Sequence, residues 1–311
     1  MRISKRWMIQ PSFLLSVFFA VTTVSAQDGG IEVISGHTIF ESGSRISLSH
    51  LFTSRGSLFN GSSQVGNPDD RSIEEHRAVF GFNHGVTPEL SLSILLPIIQ
   101  RDSTSSVAAR QRSEGLGDAT LLGKYRVFSE YWSKSAFHVS AIGGLELPTG
   151  ATGERDGTAL LDPSMQPGTG SVDAIGGLAL TLSIERFRFD AQLLYKANNE
   201  GSSDYSEGDF FVLGGSFAYR FYHAQYPGPS ASAKVGLSWR QENPDELSGI
   251  DRENTGLREL RLRAGLVYHP YPEIDLVALV EVPIYGNYES AVGGDQLALD
   301  VRTFFGFGFR F

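Results

Sequence analysis

Along most of this chain, apolar side chains fall on every second position. The last run shows it best. Leu297, Leu299, Val301, Thr303, Phe305, Phe307, Phe309 and Phe311 share one parity; Ala298, Asp300, Arg302, Phe304, Gly306, Gly308 and Arg310 share the other. Successive strand side chains point to opposite faces, so this segment predicts a strand with one apolar face and one small or charged face. The same alternation runs through Leu260, Leu262, Ala264, Leu266 and Tyr268, and through Ala231, Ala233, Val235, Leu237 and Trp239. Twelve strands are expected, near 44–54, 75–83, 89–98, 117–128, 135–147, 170–182, 187–197, 209–221, 230–241, 258–268, 274–285 and 296–311. Most exceed the roughly 5–6 residues of a globular strand and match the 9–11 or so that cross a bilayer at a tilt.

Connection lengths separate a membrane barrel from a secreted sandwich. Short turns near 83–88, 129–134, 184–186, 222–229 and 270–273 alternate with long loops near 55–74, 99–116, 148–169, 199–208, 242–257 and 286–295. A sandwich has no reason to sort its loops by parity, whereas an outer-membrane barrel has short periplasmic turns and long outer loops. Tyr125, Tyr195, Tyr219, Phe221, Trp239, Tyr268 and Tyr285 lie near strand ends, as interfacial aromatic girdles require. Hydrocarbon leaves no backbone group a water partner, so the sheet has to close. The expected fold is therefore all-β: a transmembrane up-and-down antiparallel barrel of about 12 strands, of the Gram-negative outer-membrane type, over residues 44–311.

The first 26 residues predict a cleaved signal peptide. Arg2, Lys5 and Arg6 precede an apolar run at 13–21, and Val24, Ser25 and Ala26 form a small-residue cleavage motif. Cleavage is expected between Ala26 and Gln27, followed by secretion to the periplasm and insertion into the outer membrane. Residues 27–43, with the apolar stretch 31–34, are compatible with either a periplasmic segment or a plug folded into the lumen.

Composition and charge then narrow the chemistry. The chain of 311 residues has no Cys, which excludes disulfides and Cys-ligated metals, and its net charge of -9 argues against nucleic acid as a partner. A mean hydropathy of -0.11 is what alternating lipid-facing and lumen-facing residues average to. The six long loops carry seven Lys/Arg against 18 Asp/Glu, whereas the twelve strands carry 14 against 11. The strand charges nearly all fall on the polar parity, because Arg or Lys on the lipid face costs about 2–4 kcal/mol at midplane. Candidate lumen residues are Arg77, Lys124, Arg126, Glu146, Arg188, Asp190, Lys196 and Arg220 in the first eight strands. Lys234, Arg240, Glu259, Arg261, Arg263, Glu281, Asp300 and Arg302 follow in the last four. They fit either an interior ion-pair network or a polar path that attracts anions. Gly117–Lys124 lacks phosphate-loop spacing, and His50 and His76 lack an orienting third residue. No catalytic residue, cofactor or metal is expected.

Several turn and loop elements resemble a known family. They are Gly115-Leu116-Gly117-Asp118 leading to Lys124-Tyr125, Leu147-Pro148-Thr149-Gly150, Gly168-Thr169-Gly170-Ser171-Val172-Asp173, and Tyr195 through Asn198-Asn199-Glu200-Gly201 to Gly208-Asp209. The turn His84-Gly85-Val86-Thr87-Pro88 and Pro97 add to them. Over roughly 75–311 the chain resembles the outer-membrane family associated with the MetA pathway of phenol degradation. That resemblance implies a barrel of this size acting as a channel for hydrophobic or aromatic compounds. It also implies that the terminal Phe307, Phe309 and Phe311 are read by the barrel-assembly machinery. The function expected is therefore a porin-like channel for passive uptake of small, aromatic or hydrophobic solutes, in contact with outer-membrane lipid and lipopolysaccharide. The alternative is a structural surface barrel with a plugged lumen and acidic, partner-binding loops.

Overall fold

The computed structural model describes residues 33–288 and 294–311. The expected leader, with Ala26 and Gln27, lies outside them. Twelve strands form the wall: β1 (Ser44–Asn60), β2 (Ser72–Gly85), β3 (Leu90–Thr104), β4 (Ala119–Trp132), β5 (Ser135–Leu147) and β6 (Asp173–Ile184), then β7 (Phe187–Ala197), β8 (Phe210–His223), β9 (Ser230–Glu242), β10 (Leu257–His269), β11 (Ile274–Asn287) and β12 (Gln296–Arg310). Each pairs antiparallel with its neighbours in the chain, and β12 closes on β1 from Arg45↔Arg310 to Phe59↔Gln296. No edge remains, as a sheet in hydrocarbon requires.

The short turns gather at one end, with the start of β1 and the end of β12. There the Ser44 N–H donates to the Phe311 carbonyl at 2.8 Å. At the other end, several strands outrun their expected limits. β1 reaches Asn60 and β3 reaches Thr104, and a short strand, Gln111–Leu116, extends the β3 hairpin. Above the bilayer a ladder needs no apolar face, so periodicity does not mark these extensions. They nevertheless carry Arg55 and Arg101 into the wall.

The faces are sorted inversely to a water-soluble fold. Leu48, Ile98, Leu266 and Phe305 on the outside are 54–59% exposed, whereas Arg45, Arg263 and Glu259 inside are 1% exposed. A continuous outer band of large apolar side chains is stable only against hydrocarbon. Trp239 stacks on Tyr285 (ring centroids 6.2 Å apart) toward the loop end, and Phe309 stacks on Phe311 at the turn end.

Bulges interrupt the ladders near Val127, Phe221 and Ile284, and two departures from alternation change what faces the lumen. Between β1 and β12 the register slips past Gly56 and Asp300, leaving one extra residue on each strand. A bulge of this kind flips every side chain beyond it. Leu297 and Leu299, expected toward lipid, therefore line the lumen. Phe304, Val267, Val277 and Leu279 form a second exception, an apolar cluster with Leu51 among the inward positions.

Candidate functional site

The lumen is filled in layers. The lowest layer contains the end of the N-terminal segment. Val33, Ile34, Ser35, His37 and Ile39 are all buried, within the barrel. The segment makes no ladder and is held by side chains of separate strands. The Ile39 N–H donates to Ser91 Oγ (2.8 Å), the Gly36 N–H to Thr181 Oγ1 (3.0 Å) and the Ile34 N–H to Gln192 Oε1 (2.5 Å). Ser140 Oγ donates to the Gly36 carbonyl at 2.6 Å and Lys124 Nζ to the Ser35 carbonyl at 3.2 Å. The His37 ring packs on His138 with centroids 4.3 Å apart.

Above this lies an apolar layer. Ile34 is in one cluster with Val79, Leu95, Leu122, Ile142, Ile175, Leu194 and Val212, contributed by seven strands of the wall. The inner face is thus not polar throughout, contrary to the simple alternation. The inward positions at this depth pack around the inserted segment as a protein core would.

The upper layer is charged and encloses a cavity of about 290 Å³. Glu75 pairs with Arg77 (2.9 Å) and Arg101 (2.7 Å). Glu259 accepts from Arg261 Nε at 2.6 Å and from the Tyr288 hydroxyl. Glu281 lies 3.2 Å from Arg263 and 3.6 Å from both Arg261 and Arg302. Arg240 binds Glu242 at 2.7 Å and lies 4.0 Å over the Phe210 ring. At the rim, Asp245 accepts from Tyr205 Oη (2.8 Å) and the Gly208 N–H (2.9 Å). Burial raises its carboxyl pKa above the usual range, and Glu242 adds to the effect.

The conspicuous loop elements of the sequence meet beside the cavity. Asp118 accepts from the Gly150 N–H at 2.7 Å, the Thr169 N–H at 2.6 Å and Thr169 Oγ1 at 2.9 Å. A Cβ on either Gly150 or Gly168 would lie 2.6 Å from the Cα of the other, so neither position admits a side chain. Ser171 Oγ donates to Asp173, which also accepts from the Asn199 N–H at 2.9 Å. Asn198 N–H and Tyr195 Oη both donate to Asp209. Positive φ explains Gly170 (φ +77°); close backbone approach explains Gly150 and Gly168.

The structure places Lys196 and Arg188 inside the barrel with carboxylate partners. Lys196 bridges Glu146 (2.8 Å) and Asp173 (3.4 Å), and Arg188 binds Asp190 at 2.9 Å. Lys234 is half-buried on β9. Three residues fall elsewhere. Arg126 and Arg220 donate to the Pro88 and Glu185 carbonyls and so tie down the short turns. Asp300 sits at the bulge, away from the cavity lining, and accepts from the Ser57 N–H at 3.2 Å. Sequence reasoning passed over Arg45, Asp275, His37 and His138. It also assigned Arg55, Arg71 and Arg101 to loops. Parity would have found Arg45, Asp275 and His138.

The His37 contact depends on pH. Burial holds the imidazole well below the usual histidine range, and Arg188, His138, Lys124 and Arg126 add positive charge around it. Asp190 is the acid nearby, held by Arg188 and Thr181. Released, His37 titrates near its ordinary value of about 6.5. Docking is therefore at full strength above that pH and weakens as pH falls below it, because the released state takes up the proton first. A spin label at Thr38→Cys is expected to be more mobile at pH 5 than at pH 7.5, and His37→Gln is expected to remove much of the difference. Equal label mobility at both pH values with His37 intact would count against the docking contact.

These features coincide with a family match. The family described as "Putative MetA-pathway of phenol degradation" matches residues 59–287. The chain belongs to this family. Among solved structures, an outer-membrane channel from Pseudomonas putida F1 superposes with a TM-score of 0.70 at 15% identity, covering 91% of this chain and 100% of that one. The β domain of the Bordetella autotransporter BrkA follows at TM-score 0.47 and 12% identity, with 87% and 100% covered. The P. putida toluene transporter TodX gives TM-score 0.42 and 9% identity, with 88% and 91% covered. No curated protein matches the sequence. With its closed barrel and apolar belt, this family member is an outer-membrane protein of the Gram-negative type.

Proposed function

We propose that this family member is a channel for passive entry of small solutes, with residues 33–39 as its plug. The observation that carries the proposal is the way the lumen is filled. The wall is complete without the inserted segment, which adds no strand and is held by isolated side-chain hydrogen bonds. A structural barrel has no need of a removable interior. The wide charged cavity and the apolar layer below it suit solutes with both polar and apolar parts, and family membership favours aromatic ones. The outer-membrane channel named among the similar structures adds the same suggestion for this chain. Liposome swelling with purified protein tests it, using sugars of graded size alongside phenol and benzyl alcohol. Swelling faster than in protein-free liposomes is expected for the smallest solutes and the aromatics. No flux of any solute, with no conductance in planar bilayers, would leave the surface-barrel alternative.

A further inference from the structure

We infer that the upper cavity is a binding site for a one-ring aromatic carboxylate, held by the guanidiniums of Arg55 and Arg71 with its ring against Ile73, Leu297 and Leu299. This deepens the channel proposal and rests on it for its biological meaning, though not for its test. Size comes first. The cavity of about 290 Å³ is roughly twice the ~150 Å³ that an apolar cavity needs to take up benzene, so one ring fits with room for a charged group.

Charge comes second. Seven arginines and five carboxylates line the cavity, an excess of two positive charges. Arg77, Arg101, Arg240 and Arg261 each hold a carboxylate. The side chains of Arg55 and Arg71 make no hydrogen bond or ion pair among the described residues, and both are half-buried; Arg55 acts on the Glu75 and Glu259 carboxylates only through space. A guanidinium presents a planar fork of donors that fits a carboxylate in a bidentate manner.

Placement comes third. Arg55 on β1 sits opposite Leu299 of β12 on one side and Ile73 of β2 on the other, and Arg71 immediately precedes β2. The bulge at Gly56 and Asp300 is what turns Leu297 and Leu299 inward beside these cations. A neutral ring would leave the guanidiniums without a direct partner, and an inorganic anion would leave the apolar wall wet. Only a ring that carries an anion satisfies both.

Calorimetric titration of the purified full-length barrel in detergent tests the inference, with sodium benzoate, its uncharged analogue benzamide and ringless acetate as probes. Saturable benzoate binding is expected, with benzamide and acetate at least roughly tenfold weaker. The double variant Arg55→Gln/Arg71→Gln is expected to lose at least about tenfold in benzoate affinity while its benzamide binding is unchanged. A heat-modifiable shift on unboiled gels shows that the variant has folded; should it not fold, the three-probe comparison on the native chain decides. Equal binding of benzoate and benzamide, unaltered benzoate binding in the folded variant, or no benzoate binding at all would overturn the site. Benzoate binding without solute flux would keep the site and remove the channel; flux without benzoate binding would do the reverse.

Discussion

Deletion of residues 33–39 is expected to raise the single-channel conductance severalfold while leaving the barrel folded. The segment crosses the lumen at the apolar layer, where Val33 and Ile34 are 4% and 2% exposed. With it gone, the inner-facing Gln192, Thr181, Ser140 and Ser91 lose their backbone partners and turn to water. Each such bond contributes only about 0.5–1.5 kcal/mol net, and water replaces it. The ladders that close the wall are untouched, because the described part of the segment belongs to no strand. Twelve strands enclose a lumen wider than the roughly eight-stranded case, which side chains alone can fill, so the space vacated should stay open. Conductance in planar bilayers and a heat-modifiable shift on gels measure the two halves of the expectation. A folded deletion variant that conducts no better than the native chain would show that something else occludes the lumen.

The largest loss of stability is expected at Asp275. Its carboxylate receives Arg45 Nη2 at 2.8 Å and Nε at 3.3 Å, with the two side chains 0% and 1% exposed. Arg310 stands 3.9 Å away. The pair spans the closure seam, from β1 across β12 to β11, and passes over Gly308, where a Cβ would collide with the Arg45 guanidinium. Asp275→Ala leaves a buried cation uncompensated, which costs about 3–5 kcal/mol. Asp275→Leu combined with Arg45→Met should recover much of that, since replacing both charges by apolar groups is often neutral or stabilising. Urea unfolding in lipid vesicles, followed by tryptophan fluorescence, measures both variants. A single variant as stable as the native chain would show that the pair does not hold the seam.

Reading the fold from the sequence worked where the bilayer acts on each residue separately. A lipid-facing position must be apolar whatever its neighbours are, so period two survives in runs such as Leu260–Tyr268, and strand number follows from counting runs. The same pressure pushed Arg261, Arg263, Glu259 and Glu281 onto the other parity, where the structure places them as one network. The resemblance in the Gly117–Asp118, Pro148–Gly150 and Gly168–Asp173 elements also held. Their physical role, two backbones converging on the Asp118 carboxylate of the third element, was not visible as turns along the chain.

The sequence by itself therefore determined the barrel, its strand count, its lipid face and the sign of its loops, because those depend on local alternation and on solvent. Only the tertiary structure decided what fills the lumen. Ile34 meets Gln192 across 158 residues, and Arg45 meets Asp275 across 230. Contacts across a lumen have no period, since each inner position answers to whichever strand or segment faces it. The bulge at Asp300 is of the same kind: one extra residue, unmarked in composition, turned two leucines from lipid to cavity and put them beside Arg55.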